Sequence, residues 1–261
     1  QFLEDRKLDK DTIVIFMTDN GPQQVRYVAG MRGRKGNVFQ GGVRVPFYMQ
    51  YPAKFKKEAD IDVMAAHIDI LPTLADLCNV DVPETNPIDG KNLVPLLKGK
   101  TVDWTDRSLF FYWTRRYPEL YNNIALQKNH FKLVGHTDYN AELSDFNLFD
   151  LEKDPYEQHN IVGENEKMAA NLKAEIDSYY QELIHSKNIV NPPRIHIGSP
   201  HENPVFLSRN DADGERGIWN QDEIYGFWKV KFTEGRYNFK FKFLKPLKTL
   251  RGPTVHRIRA M

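Results

Sequence analysis

The strongest constraint on the fold is a continuous apolar run at residues 13–17 that ends at the sequence Thr-Asp-Asn-Gly-Pro. An uninterrupted run of this kind is typical of a strand covered on both faces, as in the parallel sheet of an α/β fold. In such sheets, ligands bind beyond the carboxyl ends of the strands. Asp19 and Asn20 follow the run directly, so the pattern predicts that they lie at a binding edge.

A change in texture near Ser108 separates two groups of predicted elements. Before it, the pattern predicts a second apolar strand at residues 44–52 and a helix that begins near Asp69, with Pro72 in its first turn. After it, short strand candidates separated by turn residues favour an antiparallel sheet. Apolar residues at helical spacing over residues 168–183 then predict a long helix.

These elements predict an α/β chain in three parts. We expect residues 1–107 to belong to an α/β domain, residues 108–190 to form a small antiparallel-sheet subdomain with a C-terminal helix, and residues 191–261 to be a truncated β-rich extension. A linker is predicted at residues 188–200, and two alternating aromatic stretches around Thr-Glu-Gly predict a hairpin in the extension. The chain opens without Met or an apolar leader, and we expect it to be a fragment.

Composition excludes several classes of function. The 36 basic and 35 acidic residues nearly cancel to a net charge of +1, so no global field attracts nucleic acid or an anionic membrane. No apolar run approaches the roughly 18 residues of a membrane span. The hydrophobic fraction of 41% fits a folded globular protein. The single cysteine, Cys78, cannot form a disulfide within the chain, and we predict a buried thiol on a helix.

A pair of oxygen donors and a basic, glycine-containing loop at residues 32–39 (the basic loop) form the candidate site. Asp19 and Asn20 supply a carboxylate and an amide oxygen, which Ca²⁺ and Mg²⁺ prefer, and no His or Cys adjoins them to favour zinc. Arg32, Arg34 and Lys35 follow among glycines, where the backbone can approach an oxyanion closely. Taken separately, the pair is also typical of a turn and the loop of a solvated surface. Together they favour a metal that faces an oxyanion.

Five motifs in a fixed order resemble the C-terminal half of the formylglycine-dependent sulfatases, which are arylsulfatase-like members of the alkaline phosphatase superfamily. They fall within residues 12–162 and read TDNGP, RGRKG, QGGVRVP, HIDILPT and LFDLEKDPYE. The family commonly has glutamate where Gln40 stands and glycine where Arg34 stands. The resemblance implies the C-terminal part of a sulfatase-type mixed sheet flanked by helices.

The resemblance also implies roles for the residues of the site. Asp19 and Asn20 would complete the oxygen shell of Ca²⁺, with Mg²⁺ as the alternative ion, and Lys35 would contact the sulfate group as a catalytic residue. Aromatic rings stack on sugar faces, and arginines bind sulfate through two hydrogen bonds. The candidates for substrate binding are Arg34, Trp113, Arg115 and His136.

Two further motif residues, His67 and Asp69, are predicted to be structural. Asp69 is explained as a helix cap and His67 as a packed or hydrogen-bonded partner. The late motif around Asp154-Pro155 is typical of a turn that leads into a helix.

The nucleophile of such an enzyme is missing from the sequence. The family makes formylglycine from Cys or Ser in a Cys/Ser-x-Pro-x-Arg motif, and neither Cys78 nor any serine has that context. The paired aspartates, lysine and histidines of the family's first half are also absent. We therefore expect a hydrolase of sulfuric esters, acting on sulfated sugars or polysaccharides, that is inactive as this fragment. The family also implies a periplasmic or secreted location.

Two alternatives remain open from the residues. A phosphate-ester or phosphonate hydrolase uses a similar metal and oxyanion site, although such enzymes commonly hold zinc with Asp-His pairs and Asn20 argues against that pairing. A non-catalytic carbohydrate-binding pseudoenzyme fits the missing nucleophile and the aromatic stretches near the C-terminal end.

Overall fold

The computed structural model describes residues 1–24, 27–55, 58–82, 87–104, 107–114, 117–208, 211–214 and 226–240. The chain forms two compact units, Gln1–Val190 and Asn191–Met261. The strands are β1 (Val14–Met17), β2 (Phe47–Gln50), β3 (Ser108–Tyr112), β4 (Ile124–Lys128), β5 (Phe131–Gly135), β6 (Asn147–Asp150), β7 (Ile195–Ile197), β8 (Asp213–Gly214), β9 (Gly226–Phe227) and β10 (Val230–Phe232). The α-helices are α1 (Phe2–Asp5), α2 (Gln40–Val43), α3 (Ile70–Cys78), α4 (Val94–Leu97), α5 (Glu166–Ile184) and α6 (Lys187–Val190).

A four-stranded antiparallel sheet forms the centre of the first unit, in the order β3-β4-β5-β6. Strand register pairs Leu126 with Leu133 and Leu133 with Leu148, so these side chains share one face of the sheet. Helix α5 covers that face and buries Leu172 and Ile176 against it. The predicted antiparallel sheet and long helix are confirmed.

The opposite face of the sheet supports the basic loop. Ala125, Val134 and Phe149 lie on that face and pack against Val38 and Phe39, all of them at most 5% exposed. Side chains alternate between the two faces of a strand, so one sheet carries both the α5 core and the floor of the loop. The loop therefore rests on a buried, packed face of the sheet.

Strand β1 differs from the prediction of a parallel strand covered on both faces. It pairs with β2 in an antiparallel ladder that joins Val14 to Gln50, and among the described residues this is its ladder partner. Phe16 is 61% exposed and Tyr48 68% exposed. An apolar run indicates that a strand is suited to burial on both faces. It specifies neither the direction of the neighbouring strand nor which elements cover the two faces.

Helix α3 begins after Asp69, as predicted, but the carboxylate of Asp69 does not cap it. Its oxygens accept hydrogen bonds from the Ala66 and Lys91 amides, both at 2.7 Å, and it pairs with Arg107. His67 is a hydrogen-bonded partner, since its Nε2 lies 2.8 Å from the Thr18 carbonyl oxygen. This bond ties the start of the α3 region to the loop that follows β1.

The prediction that Cys78 is buried is wrong, because the thiol is exposed. Helix α3 buries Thr73 and Leu77, which are four residues apart and share one face. Cys78 is the last residue of the helix and lies off that face.

The second unit is built from short strands. Strand β7 pairs with β10 in parallel, and β8 pairs with β9 in antiparallel orientation. The predicted hairpin around Thr-Glu-Gly is wrong in the part that the structure describes, because residues 236–240 form no strand and β10 pairs with β7 instead. Aromatic alternation fits any paired strand and does not identify the partner. No helix among the described residues of the whole chain is long and apolar enough to cross a membrane.

Candidate metal and oxyanion site

Asp19 and Asn20 lie in the loop that follows β1. Asp19 is exposed and Asn20 is half-buried. The side-chain oxygen Oδ1 of Asn20 is buried and has no hydrogen-bond partner among the described residues. Leaving a buried acceptor unpaired costs about 1–3 kcal/mol, so an oxygen in this state is well suited to bind a cation.

The loop with Asn20 packs directly on the backbone of α2. The amide of Gly21 donates to the carbonyl oxygen of Gly42 at 2.9 Å. A Cβ atom on Gly21 would lie 1.8 Å from the Gly41 carbonyl oxygen, so glycine is required for this approach. The amide of Lys35 donates to the Pro22 carbonyl oxygen at 3.1 Å, which brings the basic loop to the same place.

Gly41 of helix α2 packs directly on the backbone of the basic loop at Arg32 and Gly33. The Gly41 amide donates to the Arg32 carbonyl oxygen at 2.7 Å. A Cβ atom on Gly41 would lie 2.4 Å from the Gly33 carbonyl oxygen. Three backbone segments, 19–22, 32–37 and 40–42, are therefore packed together without intervening side chains.

All three cations of the basic loop, Arg32, Arg34 and Lys35, are exposed. The side chains of Arg34 and Lys35 are exposed, and no carboxylate of the described residues forms an ion pair with either one. Arg32 has another role, since its guanidinium lies 4.2 Å from the centroid of the Phe39 ring and packs on it. Among the described residues, the side chains of Arg34 and Lys35 thus have neither a carboxylate nor an aromatic partner.

Trp113 and His136 lie beside the same loop. A Cβ atom on Gly36 would lie 3.6 Å from the Trp113 ring, and the indole is 41% exposed. The exposed His136 ring meets Phe39 edge-on, with 6.0 Å between the ring centroids. The predicted substrate residues Trp113 and His136 therefore flank the basic loop, whereas Arg115 lies outside the described residues.

Sequence reasoning missed two buried residues that hold the loop. Asn123 is 6% exposed, and its side chain bonds the backbone of the loop at Gly36 and Val38. Glu157 is 0% exposed, and its Oε2 accepts a hydrogen bond from the Gln40 amide at 2.6 Å. The available signals were the glutamate of the late motif and the lysine at position 132, which interrupts the apolar β5 strand.

The replacement of glutamate by Gln40 leaves this contact intact. Glu157 binds the backbone amide of residue 40, and every residue except proline supplies that donor. The departure from the family pattern therefore does not disturb the support of the loop.

A second group of metal-ligand types lies at the end of the four-stranded sheet. One ligand atom each from His130, Asp150 and Glu152 lies within 4.8 Å of the others. Asp150 already accepts hydrogen bonds from Lys153 at 3.0 Å and from the Glu152 amide at 3.2 Å. Burial raises the pKa of Asp150, but these bonds outweigh it and the pKa lies below its usual value. This carboxylate is satisfied, whereas the Asn20 oxygen is not.

A cavity of about 980 Å³ in the first unit is not the candidate site. Its walls include Met17, Arg44, His67, Trp104 and His130. Asp19, Asn20 and Lys35 are not among the described residues that line it.

Comparison with known proteins decides the family. The family model described as N-sulphoglucosamine sulphohydrolase, C-terminal, matches residues 34–184, which is more than half of the chain. The chain belongs to this sulfatase family. The resemblance of the sequence to the sulfatases is thereby confirmed.

Relatives of this sulfatase chain are longer than the chain itself. Human arylsulfatase A is 34% identical over 182 residues, which are 61% of this chain and 35% of the relative. An N-acetylgalactosamine-6-O-sulfatase of Bacteroides thetaiotaomicron is 28% identical over 200 residues, which are 67% of this chain and 38% of the relative. The chain thus spans little more than a third of the length of these curated relatives.

Solved structures show the same fold. One protein, solved in complex with its substrate D-glucosamine-2-N,6-O-disulfate, matches with a TM-score of 0.54 at 23% identity, over 73% of this chain and 38% of that chain. The mixed α/β architecture with antiparallel sheets is therefore that of the sulfatases.

The family implies a divalent metal and a formylglycine nucleophile. The donors of this chain fit the metal, because Asn20 offers a buried carbonyl oxygen without a partner and Asp19 adds an adjacent carboxylate. The sequence holds no Cys/Ser-x-Pro-x-Arg motif, so the given residues contain no site for the formylglycine nucleophile.

Proposed function

We propose that this chain supplies the second half of the active site of a sulfatase that hydrolyses sulfate esters of sugars or polysaccharides. The observation that carries the proposal is the buried, unpartnered Oδ1 of Asn20 beside a loop whose cations Arg34 and Lys35 have no carboxylate partner in the described part of the chain. A cation donor and an anion receptor at one backbone junction fit a sulfate bound to a metal.

The metal of this proposal is Ca²⁺, with Mg²⁺ as the alternative. Asp19 and Asn20 would hold it through hard oxygen donors, and these are the ligands that both ions take. When bound, the ion supplies positive charge that stabilises the sulfate oxygens.

Lys35 supplies the other charge of the site. Its ammonium group would donate hydrogen bonds to a sulfate oxygen, as a compact cation does for an oxyanion. The bond from the Lys35 amide to the Pro22 carbonyl oxygen holds the lysine backbone beside the loop with the metal ligands. The lysine therefore binds and orients the sulfate group, and the nucleophile comes from the remainder of a complete sulfatase.

The proposed substrates are sulfated carbohydrates. Two relatives of this chain support this class by their names, an N-acetylgalactosamine-6-O-sulfatase and an N-acetylglucosamine-6-O-sulfatase of Bacteroides thetaiotaomicron. Trp113 offers an exposed aromatic face for a sugar ring, and Arg34 and His136 offer polar contacts around the loop. Arg115 completes the proposed set from the sequence. Such substrates are extracellular glycans, so we also propose a periplasmic or secreted location.

The proposal is tested by ligand binding to the chain as it is. Isothermal titration with CaCl₂, and separately with sodium sulfate, compares the wild type with the variants Asn20→Ala and Lys35→Ala. We expect Asn20→Ala to abolish the heat of calcium binding and Lys35→Ala to weaken sulfate binding. The matched controls Asn122→Ala and Lys100→Ala change exposed residues elsewhere and should bind like the wild type. Calcium binding that is equal in wild type and Asn20→Ala would overturn the assignment.

A further inference from the structure

A fully buried ion pair lies beneath the basic loop. The ammonium group of Lys132 on β5 is 2.8 Å from Oε1 of Glu157, and both side chains are 0% exposed. Lys132 shares the sheet face of Val134, which packs against Val38 and Phe39 of the loop region. The pair is therefore placed between the sheet and the site.

Both oxygens of the Glu157 carboxylate are used. Oε1 receives the Lys132 ammonium, and Oε2 accepts the hydrogen bond of the Gln40 amide at 2.6 Å. Burial lowers the pKa of Lys132, and the attraction of Glu157 opposes this shift. The lysine thus holds the carboxylate in the orientation that binds the main chain.

The turn that carries Glu157 also contacts the loop by its own backbone. The amide of Arg32 donates to the Tyr156 carbonyl oxygen at 3.3 Å. The carbonyl oxygen of Arg32 in turn accepts a hydrogen bond from the Gly41 amide at 2.7 Å. The turn at residues 156–157 therefore accepts two backbone hydrogen bonds, one from the Arg32 amide and one from the Gln40 amide.

A short path of backbone contacts leads from Gln40 to the site. Gln40 begins the α2 helix, which ends at Val43, and Gly42 of this helix accepts the Gly21 amide at 2.9 Å. Gly21 is the residue after Asn20. A shift of the α2 backbone would therefore move the orphaned oxygen of Asn20 relative to Lys35.

We propose that Glu157 is a positioning residue for the metal and oxyanion site, acting through the Gln40 amide, and that Lys132 fixes its carboxylate. This rests on the proposed function of Asn20 and Lys35. A buried ion pair is seldom more stabilising than an apolar pair of similar volume, so stability alone does not account for these two charges. Holding a main-chain donor beside the site does.

The test separates the hydrogen bond from the charges with two double variants. Lys132→Met with Glu157→Gln removes both charges but keeps a side-chain oxygen for the Gln40 amide. Lys132→Met with Glu157→Met removes the charges and the acceptor together. Neither variant leaves an unpaired buried charge, so both are suited to fold. Glu175→Gln is the control, because it breaks a partly exposed ion pair on the other face of the sheet.

Two readouts are measured on each protein by amide NMR: calcium affinity from the shifts of residues 19–21, and hydrogen exchange at Gln40 and Gly21. We expect the Met-Met variant to lose at least tenfold in calcium affinity and to exchange at least tenfold faster at both amides. The Met-Gln variant and Glu175→Gln should stay within twofold of the wild type.

The outcomes distinguish the two proposals. If the wild type shows no calcium shift at Asn20, the proposed metal site is wrong, and the exchange data still judge the role of Glu157. Faster exchange at Gly21 in the Met-Met variant, but not in the Met-Gln variant, supports positioning. Equal exchange at Gly21 in all variants, or equal calcium affinity in proteins that bind it, overturns the positioning role.

Discussion

The side chain of Asn123 binds the backbone of the basic loop at Gly36, which lies 87 positions earlier in the chain. Asn123 directly precedes strand β4. Its Nδ2 donates to the Gly36 carbonyl oxygen at 2.8 Å, and its Oδ1 accepts the Val38 amide at 3.2 Å. The same Nδ2 lies 3.1 Å from the carbonyl oxygen of Trp113. One buried amide therefore fixes both the loop and the backbone of a proposed substrate residue.

Replacing Asn123 tests this clamp. We expect Asn123→Ala to lower the free energy of unfolding by about 2–3 kcal/mol, since each lost hydrogen bond costs roughly 1 kcal/mol and buried groups are left unpaired. Urea denaturation followed by circular dichroism measures the change. Asn122→Ala is the matched control, because the exposed Asn122 side chain bonds to Glu119, and its effect should stay within about 0.5 kcal/mol. Equal effects of the two substitutions would refute the clamp.

The buried pair of Arg107 and Asp69 is the second target. The guanidinium binds both carboxylate oxygens, at 2.5 and 2.9 Å, and the side chains are 4% and 0% exposed. We expect Arg107→Met to destabilise the protein by about 3–5 kcal/mol, because it leaves a buried charge without its partner. Thermal denaturation reports the loss. If Arg107→Met unfolds at the wild-type temperature, Asp69 does not depend on this pair.

The contact between α5 and the sheet is tested in the core. Leu172 is 1% exposed, and truncation of a buried leucine costs about 2–5 kcal/mol. We predict that Leu172→Ala loses this amount in urea denaturation. Leu71→Ala, at a position that is 58% exposed, should change stability by less than about 0.5 kcal/mol. A small effect at Leu172 would show that α5 does not pack as described.

The acid dependence of stability is predicted from Glu175. Burial raises its pKa, but hydrogen bonds from Lys128 and Ser108 outweigh this, so the pKa lies below its usual value in the folded protein. As pH falls, the unfolded chain therefore takes up a proton first, at about pH 4.3, and the stabilisation present above that pH is lost as pH falls through the folded pKa.

The substitution Glu175→Gln isolates this contribution. We expect the unfolding free energy of the wild type to fall more than that of Glu175→Gln between about pH 6 and about pH 3.5, because the variant has no carboxylate to protonate. Denaturant titrations at both pH values measure the two losses. The lowered pKa of Asp150 contributes equally to the pH dependence of both proteins. Its contribution therefore cancels in the difference between their unfolding free energies. Parallel losses in the two proteins would contradict the assignment.

The sequence predicts those features that depend on local pattern. The short strands after Ser108 and the periodic helix were identified because alternation and helical spacing record which face is buried. The roles of Asp19, Asn20 and Lys35 stay predictions, which rest on residue type and on the resemblance to the sulfatases. Partners in space are not encoded in this way, so the antiparallel pairing of β1 and the exposure of Phe16 and Tyr48 were not predicted.

The supports of the site illustrate the same limit. Glu157 and Lys132 are 25 residues apart in the chain, and Glu157 and Gln40 are 117 apart. No local pattern links such positions, and the sequence around Glu157 predicts only a turn. Its role follows from the packing of the late motif on the glycine segment, which only the folded chain brings together.

The most direct test of the proposed metal site is a crystal of the chain soaked in calcium or a lanthanide, with the ion located by anomalous scattering. If Asn20 and Asp19 hold the metal, a peak lies about 2.3–2.6 Å from Oδ1 of Asn20, with Asp19 as the second ligand. A peak confined to His130, Asp150 and Glu152, or no peak beside Asn20 at saturating ion, would contradict it.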